Sequence, residues 1–370
     1  MDDPVVLHVL EAVEGGTARH VVDLVRHVDG IRHEVAIPWR RSFGVTDESA
    51  APSLRAAGAT VHLLPMHRRP WAPANAVALH ALFQLVGRRR PDVVHGHSSV
   101  GGALARVAAR GRPVVYTPHG IVEARAYLAV ERGLGRWTAR LVAVSPSEGD
   151  LAARLRLVGP GRIAVIPNGV DLDLPAGGFD LRSRLGLAPA TPLVGTVARL
   201  VTQKAPVQFV RTCALVALRH PDVHFLLIGS GPLQPDVDRA VREGSLVGRF
   251  HHLPSLPAAA GVLDQVQVVV LLSRFEGGPY LPLEAMRAGT PVVVSDVVGN
   301  RDVVEDGVSG FVVAPQDPVA AAARVVDLLD QPETGRLMGQ AGRLRVADHF
   351  DVREMGRRTK ALYDDVLLHH

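Results

Sequence analysis

Short runs of apolar and β-branched residues alternate along the chain with longer segments in which apolar side chains recur every three or four positions. The short runs are typical of parallel strands that are covered by helices on both faces. The longer segments have the periodicity of amphipathic helices. In the first half of the chain this pattern predicts strands at Val5–Leu10, Glu34–Ile37, Thr60–Leu64, Asp92–His95, Pro113–Tyr116, Leu141–Ser145 and Ile163–Ile166, with helices that include Ala18–His27, Asn75–Arg88 and Gly101–Ala109.

A segment rich in glycine, proline and leucine–aspartate pairs, Asp171–Pro192, interrupts the alternation and predicts an interdomain linker. The fold class expected is therefore α/β, with two Rossmann-like doubly wound domains facing each other across a cleft that holds the active site. After the linker, strands are predicted at Leu193–Val197, His224–Ile228, Val266–Leu271, Pro291–Val294 and Gly310–Val313, and helices at Phe209–Arg219, Pro235–Arg242, Tyr280–Ala288, Pro318–Leu329, Glu333–Asp348 and Val352–Leu367.

The composition narrows the class of protein. A chain of 370 residues exceeds what one hydrophobic core usually supports, and 47% hydrophobic with 21% charged residues is typical of a globular enzyme. The net charge of +4 suits anionic ligands, but an aromatic content of 4% and the lack of a recognition motif argue against nucleic acid as a partner. Cys213 is the only cysteine, so no disulfide is expected. With no signal or membrane-spanning pattern in the sequence, we expect a cytoplasmic protein.

Two loops that follow predicted strands have the residues of an anion site. In "EAVEGGTARH", Gly15 and Gly16 allow close approach of a ligand to the backbone at a helix N-terminus, although a plain flexible turn fits equally well. In "GTVARLVTQKAP", Arg199 and Lys204 could flank a phosphate, the alternative being two solvated surface cations. Because the carboxyl ends of parallel strands are where such sheets bind ligands, the phosphate interpretation is favoured.

Two further loops suggest chemistry that the sequence does not support well. "IGSGPLQPD" begins like a dinucleotide-binding motif, but Gln234 stands where the third glycine belongs, so no NAD site is expected. "DVVHGH" and "TPHG" place His95, His97 and His119 in adjacent loops, where three imidazoles could bind zinc. No carboxylate accompanies them, so we expect no metal. His119, between proline and glycine in a turn, is better suited to contact a polar ligand.

The stretch "SRFEGGPYLPLEAMRAG" contains two carboxylates beside an apolar segment that predicts a short buried helix. Carboxylates are rarely buried unless they are paired or bound to something. Glu284, about one turn into the helix, could accept both hydroxyls of a vicinal diol such as ribose, and Glu276 in the preceding loop could meet a second hydroxylated group. The alternative is a capping Glu276 and a Glu284 that pairs with an arginine.

The chain resembles, over nearly its whole length, the retaining GT-B glycosyltransferases of family 4, the glycosyl transferases group 1. Each matching segment is weak alone, but their number and order make the resemblance specific. The segments are "EGGTARHVVDL", "DVVHGH", "TPHG", "VAVS", "IPNGVD", "ARLVTQK", "IGSGP", "EGGP", "LEAMRAGTPVVVSDVVGN" and "VVEDGVSGFVV".

The resemblance implies a transferase that moves a sugar from a nucleotide-sugar, a UDP-sugar being expected, to a glycan, lipid-linked or small-molecule acceptor. It implies an acceptor domain at 1–172, a donor domain at 173–350, and a helix within 351–370 that packs back on the first domain. Neither a cofactor nor a metal is implied. The rival interpretations are a nucleotide-sugar epimerase of similar build and a catalytically silent sugar-nucleotide binding protein.

The resemblance also assigns roles to individual residues. It implies that Glu284 binds the ribose and that Arg199 and Lys204 neutralise the leaving diphosphate. Glu276 would hold hydroxyls of the donor sugar, and His119 would lie beside that sugar. The remaining donor-binding groups implied are Gly16 near the phosphates and the backbone N–H groups of Gly277, Gly278 and Tyr280.

Several residues depart from the family pattern. Ala198 and Ala205 stand where glycines are common, Leu272 replaces a common proline, and Asn300 begins a replacement for a Gly-x-x-Glu segment. These changes put the shape of the donor loops, and with it the sugar specificity, in question.

Arginines in "IVEARAYLAVERGLGRWTARL" suggest a contact with membrane. On a continuous helix, Arg125, Arg132, Arg136 and Arg140 would share one face, which could rest on an anionic bilayer at the inner face of the plasma membrane. The alternative is a solvated face paired with Glu123 and Glu131.

Overall fold

The computed structural model describes residues 3–13, 15–39, 50–109, 111–173, 179–256 and 259–369. The chain divides into two compact units: unit 1 comprises Met1–Asn168 with Val352–His370, and unit 2 comprises Gly169–Asp351. The sequence places these boundaries at 172/173 and 350/351, a few residues away. The predicted linker falls partly on 174–178, which lies outside the described residues.

The described part of unit 1 forms a seven-stranded parallel sheet in the order β3-β2-β1-β4-β5-β6-β7. Its strands are β1 (Val5–Leu10), β2 (Arg32–Pro38), β3 (Thr60–Leu64), β4 (Val93–His97), β5 (Val114–Thr117), β6 (Arg140–Ala143) and β7 (Ile163–Val165). Its helices are α1 (Gly16–His27), α2 (Ala50–Ala56), α3 (Ala74–Arg89), α4 (Ser99–Ala108), α5 (Arg125–Gly135), α6 (Pro146–Arg154) and, from the far end of the chain, α14 (Val352–Leu368).

Side-chain alternation decides what each face of this sheet buries. On β1, Leu7 and Val9 point into a core with α3 and α4. Val6 points to the opposite face, where it packs with Leu24 of α1 and Tyr363 of α14. Because side chains alternate along a strand, His8 shares the face of Val6, and the histidines of β4 lie on this face as well. The second face of the sheet is therefore part apolar core and part histidine cluster.

The described part of unit 2 forms a six-stranded parallel sheet in the order β10-β9-β8-β11-β12-β13. Its strands are β8 (Leu193–Val197), β9 (His224–Ile228), β10 (Phe250–Leu253), β11 (Val268–Leu271), β12 (Val292–Ser295) and β13 (Gly310–Val313). Its helices are α7 (Leu181–Leu185), α8 (Pro206–Arg219), α9 (Gln234–Glu243), α10 (Tyr280–Ala288), α11 (Asn300–Val303), α12 (Pro318–Asp330) and α13 (Pro332–His349).

The prediction of two doubly wound parallel sheets is confirmed. Predicted strands occur with ends shifted by a residue or two, and predicted helices with ends shifted by up to one turn. β10, α2, α6, α7 and α11 were not predicted. The segment of β10 contains two adjacent histidines and is only half-buried, so it lacks the apolar run that marks the other strands. Among the described residues, no helix has both the length and the hydrophobicity needed to cross a membrane.

The predicted arginine stripe is wrong, because its four arginines do not share a helix. α5 ends at Gly135, so Arg136 lies just beyond it. Arg140 begins β6 and pairs with Asp365, with 2.7 Å between Nη2 and Oδ2. A Cβ atom at Gly135 would lie 2.0 Å from the Leu157 carbonyl oxygen, so the helix end packs closely on neighbouring backbone instead of continuing.

Glu131 does not pair with the exposed arginines either. It is buried and pairs with Arg106, whose guanidinium is also buried, at 2.9 Å between Nη1 and Oε2. Arg106 additionally covers the ring of Tyr116 at 3.8 Å. The ion pair bridges α4 and α5, and because both of its side chains are buried it belongs to the interior of unit 1.

Candidate active site

Both sheets have the strand order 3-2-1-4-5-6 in their own numbering, with a seventh strand added in unit 1. In this topology the crossovers on either side of the first strand run in opposite directions, and ligands bind outside the carboxyl ends of the strands at that point. In unit 2 the point lies between β8 and β11. Arg199 and Lys204 follow β8, and Glu276 follows β11, so the fold brings these predicted residues to one edge of the sheet.

Lys204 and Glu276 contact each other directly. The Lys204 Nζ lies 2.5 Å from the Glu276 Oε1, and the two side chains are 18% and 6% exposed. A charge this buried is tolerated when it is paired. The sequence predicts a ligand-binding role for each residue but not their contact, since 72 residues separate them.

Gln203 ties the loop after β8 to the loop after β11. Its backbone carbonyl accepts from the Arg274 N–H at 2.8 Å, and its side-chain amide donates to the Phe275 carbonyl at 3.1 Å. Its side-chain oxygen also accepts from the Arg199 guanidinium at 3.4 Å. Sequence analysis missed Gln203. Its position between Arg199 and Lys204 in "ARLVTQK" could have indicated a role in that loop.

The glycines of "IGSGP" support the loop of Arg199. Gly229 and Gly231 have φ angles of 144° and 157°, which are accessible to glycine. A Cβ atom at Gly229 would lie 2.0 Å from the Ala198 carbonyl oxygen, and one at Gly231 would lie 2.5 Å from that of Leu200. This close packing against the neighbouring loop accounts for the two glycines of the motif without a bound dinucleotide.

The "EGGP" loop leads into α10 as predicted. Pro279 is the N-cap residue, and the helix begins at Tyr280. Gly277 is buried, and its carbonyl oxygen would lie 2.4 Å from a Cβ atom on Gly299, so the two backbone segments are in close contact. Glu284 is half-buried, whereas the helix around it is mostly buried. Its carboxylate therefore lies at the boundary of the core, one turn into the helix.

Unit 1 holds the other predicted residues. Gly16 begins α1 and is exposed, and Gly15 before it has a φ of 68°. His119 follows β5 and has a φ of 57°, and Ser98 after β4 has a φ of 61°. Non-glycine residues in the left-handed region carry strain that the surrounding structure must hold in place, and such residues concentrate at functional sites.

Glu148 holds the turn at His119. Its fully buried carboxylate accepts from the Gly120 N–H at 2.6 Å and from the Val144 N–H at 2.8 Å, so it joins the loops after β5 and β6. Glu148 was missed from the sequence, where Ser145 was placed in a strand. The spacing of Ser145 and Glu148 is the S-x-x-E pattern of a helix N-terminus, and Ser145 is the N-cap residue of α6.

The structure brings His95, His97 and His119 together and adds histidines that the sequence did not indicate. His8 of β1 lies beside His95 in the parallel register. One ring nitrogen from each of His8, His95 and His97 lies within 4.8 Å of the other two, and His20, His97 and His119 form a second such group. Either group could in geometry hold a metal ion, and no carboxylate belongs to either.

Burial keeps these rings neutral near neutral pH. It lowers the pKa of His95, His97 and His119 well below 6.5, and neighbouring imidazoles lower each further. The pKa of His20 falls to about 4 through burial, although a hydrogen bond of 2.9 Å to the Asn168 Oδ1 opposes that shift. His20 and Asn168 lie within "EGGTARH" and "IPNGVD", and no single-residue signal distinguished them.

Comparison with known proteins decides the family. Residues 14–174 match the family model of Glycosyltransferase Family 4, and residues 191–331 match that of Glycosyl transferases group 1. The chain is 30% identical to a 2-deoxystreptamine glucosyltransferase of Streptomyces kanamyceticus, over 81% of this chain and 79% of that protein. The chain belongs to glycosyltransferase family 4.

This glycosyltransferase is also 29% identical to a UDP-Gal:alpha-D-GlcNAc-diphosphoundecaprenol alpha-1,3-galactosyltransferase of Escherichia coli, over 79% of this chain and 80% of that one. Among solved structures it is similar to Anabaena HepE in complex with UDP and glucose, with a TM-score of 0.83 and 20% identity over 98% of this chain and 100% of that one. The predicted family and the GT-B fold are confirmed.

Proposed function

We propose that this glycosyltransferase is a retaining enzyme that transfers a sugar from a UDP-sugar to a hydroxyl of an acceptor. The contact between Lys204 and Glu276 carries the proposal. It places a cation and a carboxylate side by side at the carboxyl ends of β8 and β11. A sugar joined to a diphosphate needs both, a cation for the phosphates and a carboxylate for the hydroxyls.

In this proposal Arg199 and Lys204 bind the diphosphate of the donor. Breaking the bond between the anomeric carbon and the phosphate oxygen develops negative charge on the leaving diphosphate. Preorganised cations stabilise that charge more strongly than they stabilise the bound donor. Gln203 supports the pair by fixing the loop from which both project.

Glu276 then accepts hydrogen bonds from hydroxyls of the transferred sugar, helped by the N–H groups of Gly277, Gly278 and Tyr280. Donor binding would turn Lys204 toward phosphate and leave the Glu276 carboxylate to the sugar. Glu284 accepts from both ribose hydroxyls. Its half-buried position one turn into α10 leaves part of the side chain accessible to a ligand.

In unit 1, His119 is proposed to contact the transferred sugar and Gly16 the phosphates. The strained turn at His119, held by Glu148, supports this assignment because preorganisation of a ligand contact justifies such strain. Gly16 has no side chain to obstruct a phosphate at the N-terminus of α1.

The proposed reaction proceeds with retention of configuration. The acceptor hydroxyl attacks the anomeric carbon on the face that the diphosphate leaves, and the departing phosphate oxygen takes the proton of that hydroxyl. A double displacement would need a carboxylate at the anomeric carbon. In this proposal Glu276 binds hydroxyls of the sugar and Glu284 binds the ribose, so neither carboxylate is the nucleophile at the anomeric carbon.

The names of the relatives support a UDP-sugar and leave several acceptors. One relative uses UDP-Gal and a diphosphoundecaprenol acceptor, and the other is named for 2-deoxystreptamine. We propose an acceptor among glycans, lipid-linked saccharides and small molecules, used at a cytoplasmic location. The membrane contact inferred from the arginine stripe loses its basis, because the stripe is not formed.

A panel of UDP-sugars tests the proposal, with UDP release measured in the presence and absence of candidate acceptors. Acceptor-dependent release and a product of unchanged anomeric configuration are expected, and EDTA should not lower the rate. A donor isomer formed without any acceptor would indicate an epimerase. Binding without turnover across the panel and all acceptor classes would indicate a silent binding protein.

A further inference from the structure

Four imidazoles of unit 1 form one continuous row of hydrogen bonds that begins at a backbone carbonyl and ends at His119. The His33 Nε2 lies 3.2 Å from the Val28 carbonyl oxygen, and the His33 Nδ1 lies 3.0 Å from the His8 Nε2. The His8 Nδ1 lies 3.0 Å from the His97 Nε2. The His97 Nδ1 lies 3.2 Å from the His119 Nε2. Each of these ring nitrogens has one partner in the row, which is either the Val28 carbonyl oxygen or a nitrogen of the next ring.

All four rings are neutral near neutral pH, because burial lowers the pKa of each. The titratable groups that face them are further imidazoles, His20 and His95, rather than carboxylates. Among the described residues, no carboxylate hydrogen-bonds a ring of the row. Each ring therefore carries one N–H and one bare nitrogen.

The Val28 carbonyl can only accept, so the proton on His33 must sit on Nε2 and its Nδ1 must be bare. The bare Nδ1 of His33 requires His8 to donate from Nε2, which leaves the His8 Nδ1 bare. By the same rule His97 donates from Nε2 to His8, and His119 donates from Nε2 to His97. One carbonyl thus determines the position of four protons.

We propose that this row fixes His119 as the Nε2–H tautomer, so that its Nδ1 accepts a hydrogen bond from a hydroxyl of the transferred sugar. The proposal rests on the proposed function, which supplies that sugar. Among the described residues, none hydrogen-bonds the His119 Nδ1, and the strained turn held by Glu148 fixes the orientation of the ring. His33, His8 and His97 are positioning residues that act through His119.

A fixed acceptor discriminates between donor sugars. A hydroxyl can donate to the bare Nδ1, whereas a carboxylate or a carbonyl at the same position offers only lone pairs against it. A site that leaves a polar group facing a like partner discriminates strongly, because neither group is then satisfied. The row therefore favours a sugar that presents a hydroxyl, rather than a carboxylate or a carbonyl, at the point that His119 contacts.

The row and a metal ion exclude each other. In the row, the His97 Nε2 carries a proton and the His97 Nδ1 lone pair accepts from His119. A metal held by His97 would need a lone pair on Nε2 or on Nδ1, and in the row neither nitrogen has one to offer. Elemental analysis of the purified protein is thus part of the test, and a stoichiometric transition metal would overturn the proposal.

The test is a long-range ¹H–¹⁵N correlation spectrum of the ¹⁵N-labelled protein, which distinguishes protonated from bare ring nitrogens. His119 is expected as the Nε2–H tautomer. His33→Leu removes the ring that donates to the Val28 carbonyl. The three remaining rings can then donate in either direction along the row with the same number of hydrogen bonds, so His119 should show both tautomers. His33→Gln, whose amide can donate to Val28 and accept from His8, should restore the single tautomer.

His95→Gln is the matched control, since His95 is equally buried beside His97 but bonds Thr117 and Tyr363 outside the row. It should leave the His119 tautomer unchanged. An Nδ1–H on His119 in the wild type, or an unchanged tautomer in His33→Leu, overturns the proposal.

Ligand titration separates this inference from the proposed function. A UDP-sugar that binds should shift the His119 Nδ1 resonance, and UDP alone should not. His33→Leu should lower kcat/KM about twofold, because only about half of the molecules then carry the competent His119 tautomer, with UDP affinity unchanged and with recovery in His33→Gln. Absence of transfer with an intact Nδ1 shift would count against the proposed function alone. Absence of the shift with a bound UDP-sugar would overturn the sugar contact.

Discussion

Replacing Lys204 by methionine removes the cation beside Glu276 while keeping a side chain of similar length. Glu276 is 6% exposed, so the substitution leaves a buried carboxylate without its nearest cation. Removing one partner of a fully buried ion pair costs about 3–5 kcal/mol. Lys204 is 18% exposed, which lets water reach the site, so we expect a loss of about 2 kcal/mol.

That loss should lower the Tm of unit 2 by about 4–8 °C, given a shift of roughly 2–4 °C per kcal/mol for units of this length. Turnover should fall by about two to three orders of magnitude, as expected when one preorganised electrostatic group is removed. The double variant Lys204→Met/Glu276→Gln should regain most of the Tm, since no unpaired charge remains, while its turnover stays low.

Scanning calorimetry and UDP-release kinetics on the same preparations provide the assay. Lys360→Met is the matched control, because Lys360 is the other lysine of the chain and pairs with Asp364 at 2.6 Å on the surface of α14. Exposed pairs at this spacing contribute only about 0.3–0.5 kcal/mol, so its Tm should hardly change. A Tm for Lys204→Met equal to that of Lys360→Met, or a double variant as unstable as the single one, would refute the reasoning.

Four further outcomes are expected. Glu284→Gln should weaken UDP binding, whereas Glu276→Gln should mainly lower turnover, because ribose contacts are alike in ground and transition states; isothermal titration with UDP that shows the larger loss for Glu276→Gln reverses the roles. Ala205→Gly should raise the free energy of unfolding by about 1 kcal/mol in urea titrations, because Ala205 holds a φ of 45° that glycine adopts without strain; a lower value would show that the strain is absent. The free energy of unfolding should be highest above about pH 6.5 and should fall between pH 6.5 and pH 4, by about 1.4 kcal/mol per pH unit for a ring such as His20. The reason is that in this range the imidazole binds a proton in the unfolded chain but not in the folded one. A free energy of unfolding that does not change with pH in denaturant titrations would contradict this. The protein should not sediment together with phosphatidylglycerol vesicles at low salt. Binding that is lost at high salt would support the membrane contact after all.

The elements of the fold were predictable where one periodicity dominates. The valine-rich strands β11 and β12 of unit 2 are buried on both faces, so their sequences identify them without tertiary information. In unit 1, β1 and β4 begin with two buried valines that give the same signal before their histidines. β10 fails this test, because its adjacent His251 and His252 lie on a half-buried edge strand. α6 was missed because Ser145, its N-cap residue, was counted as the end of a strand.

The site was predictable to the level of its loops. Strand ends placed Arg199, Lys204 and Glu276 at one edge of a sheet, and the structure agrees. The sequence gives Lys204 no reason to be buried or to contact Glu276, since that contact depends on how two loops fold against each other. Pairing across the sheet likewise brings His8 to His95, a contact that no local pattern encodes.

The discontinuity of unit 1 has a consequence for the order of folding during synthesis. α14 supplies Tyr363, which is fully buried and whose hydroxyl bonds the His95 Nδ1 at 2.6 Å. It also supplies Gly356, where a Cβ atom would lie 2.2 Å from the His27 carbonyl oxygen of α1, so the two helices pack at close range. The ribosome makes this helix only after the whole of unit 2.

Unit 2 is contiguous in sequence and can fold as soon as it emerges, because domains generally fold as units in the order of synthesis. Unit 1 begins first and is completed last: until α14 arrives, Val6 and Leu24 lack part of their apolar cover and His95 lacks its phenolic partner. A nascent chain halted before Val352 would therefore carry a finished second unit and an open first one, and chaperones that hold exposed apolar surface would be expected on the amino-terminal half.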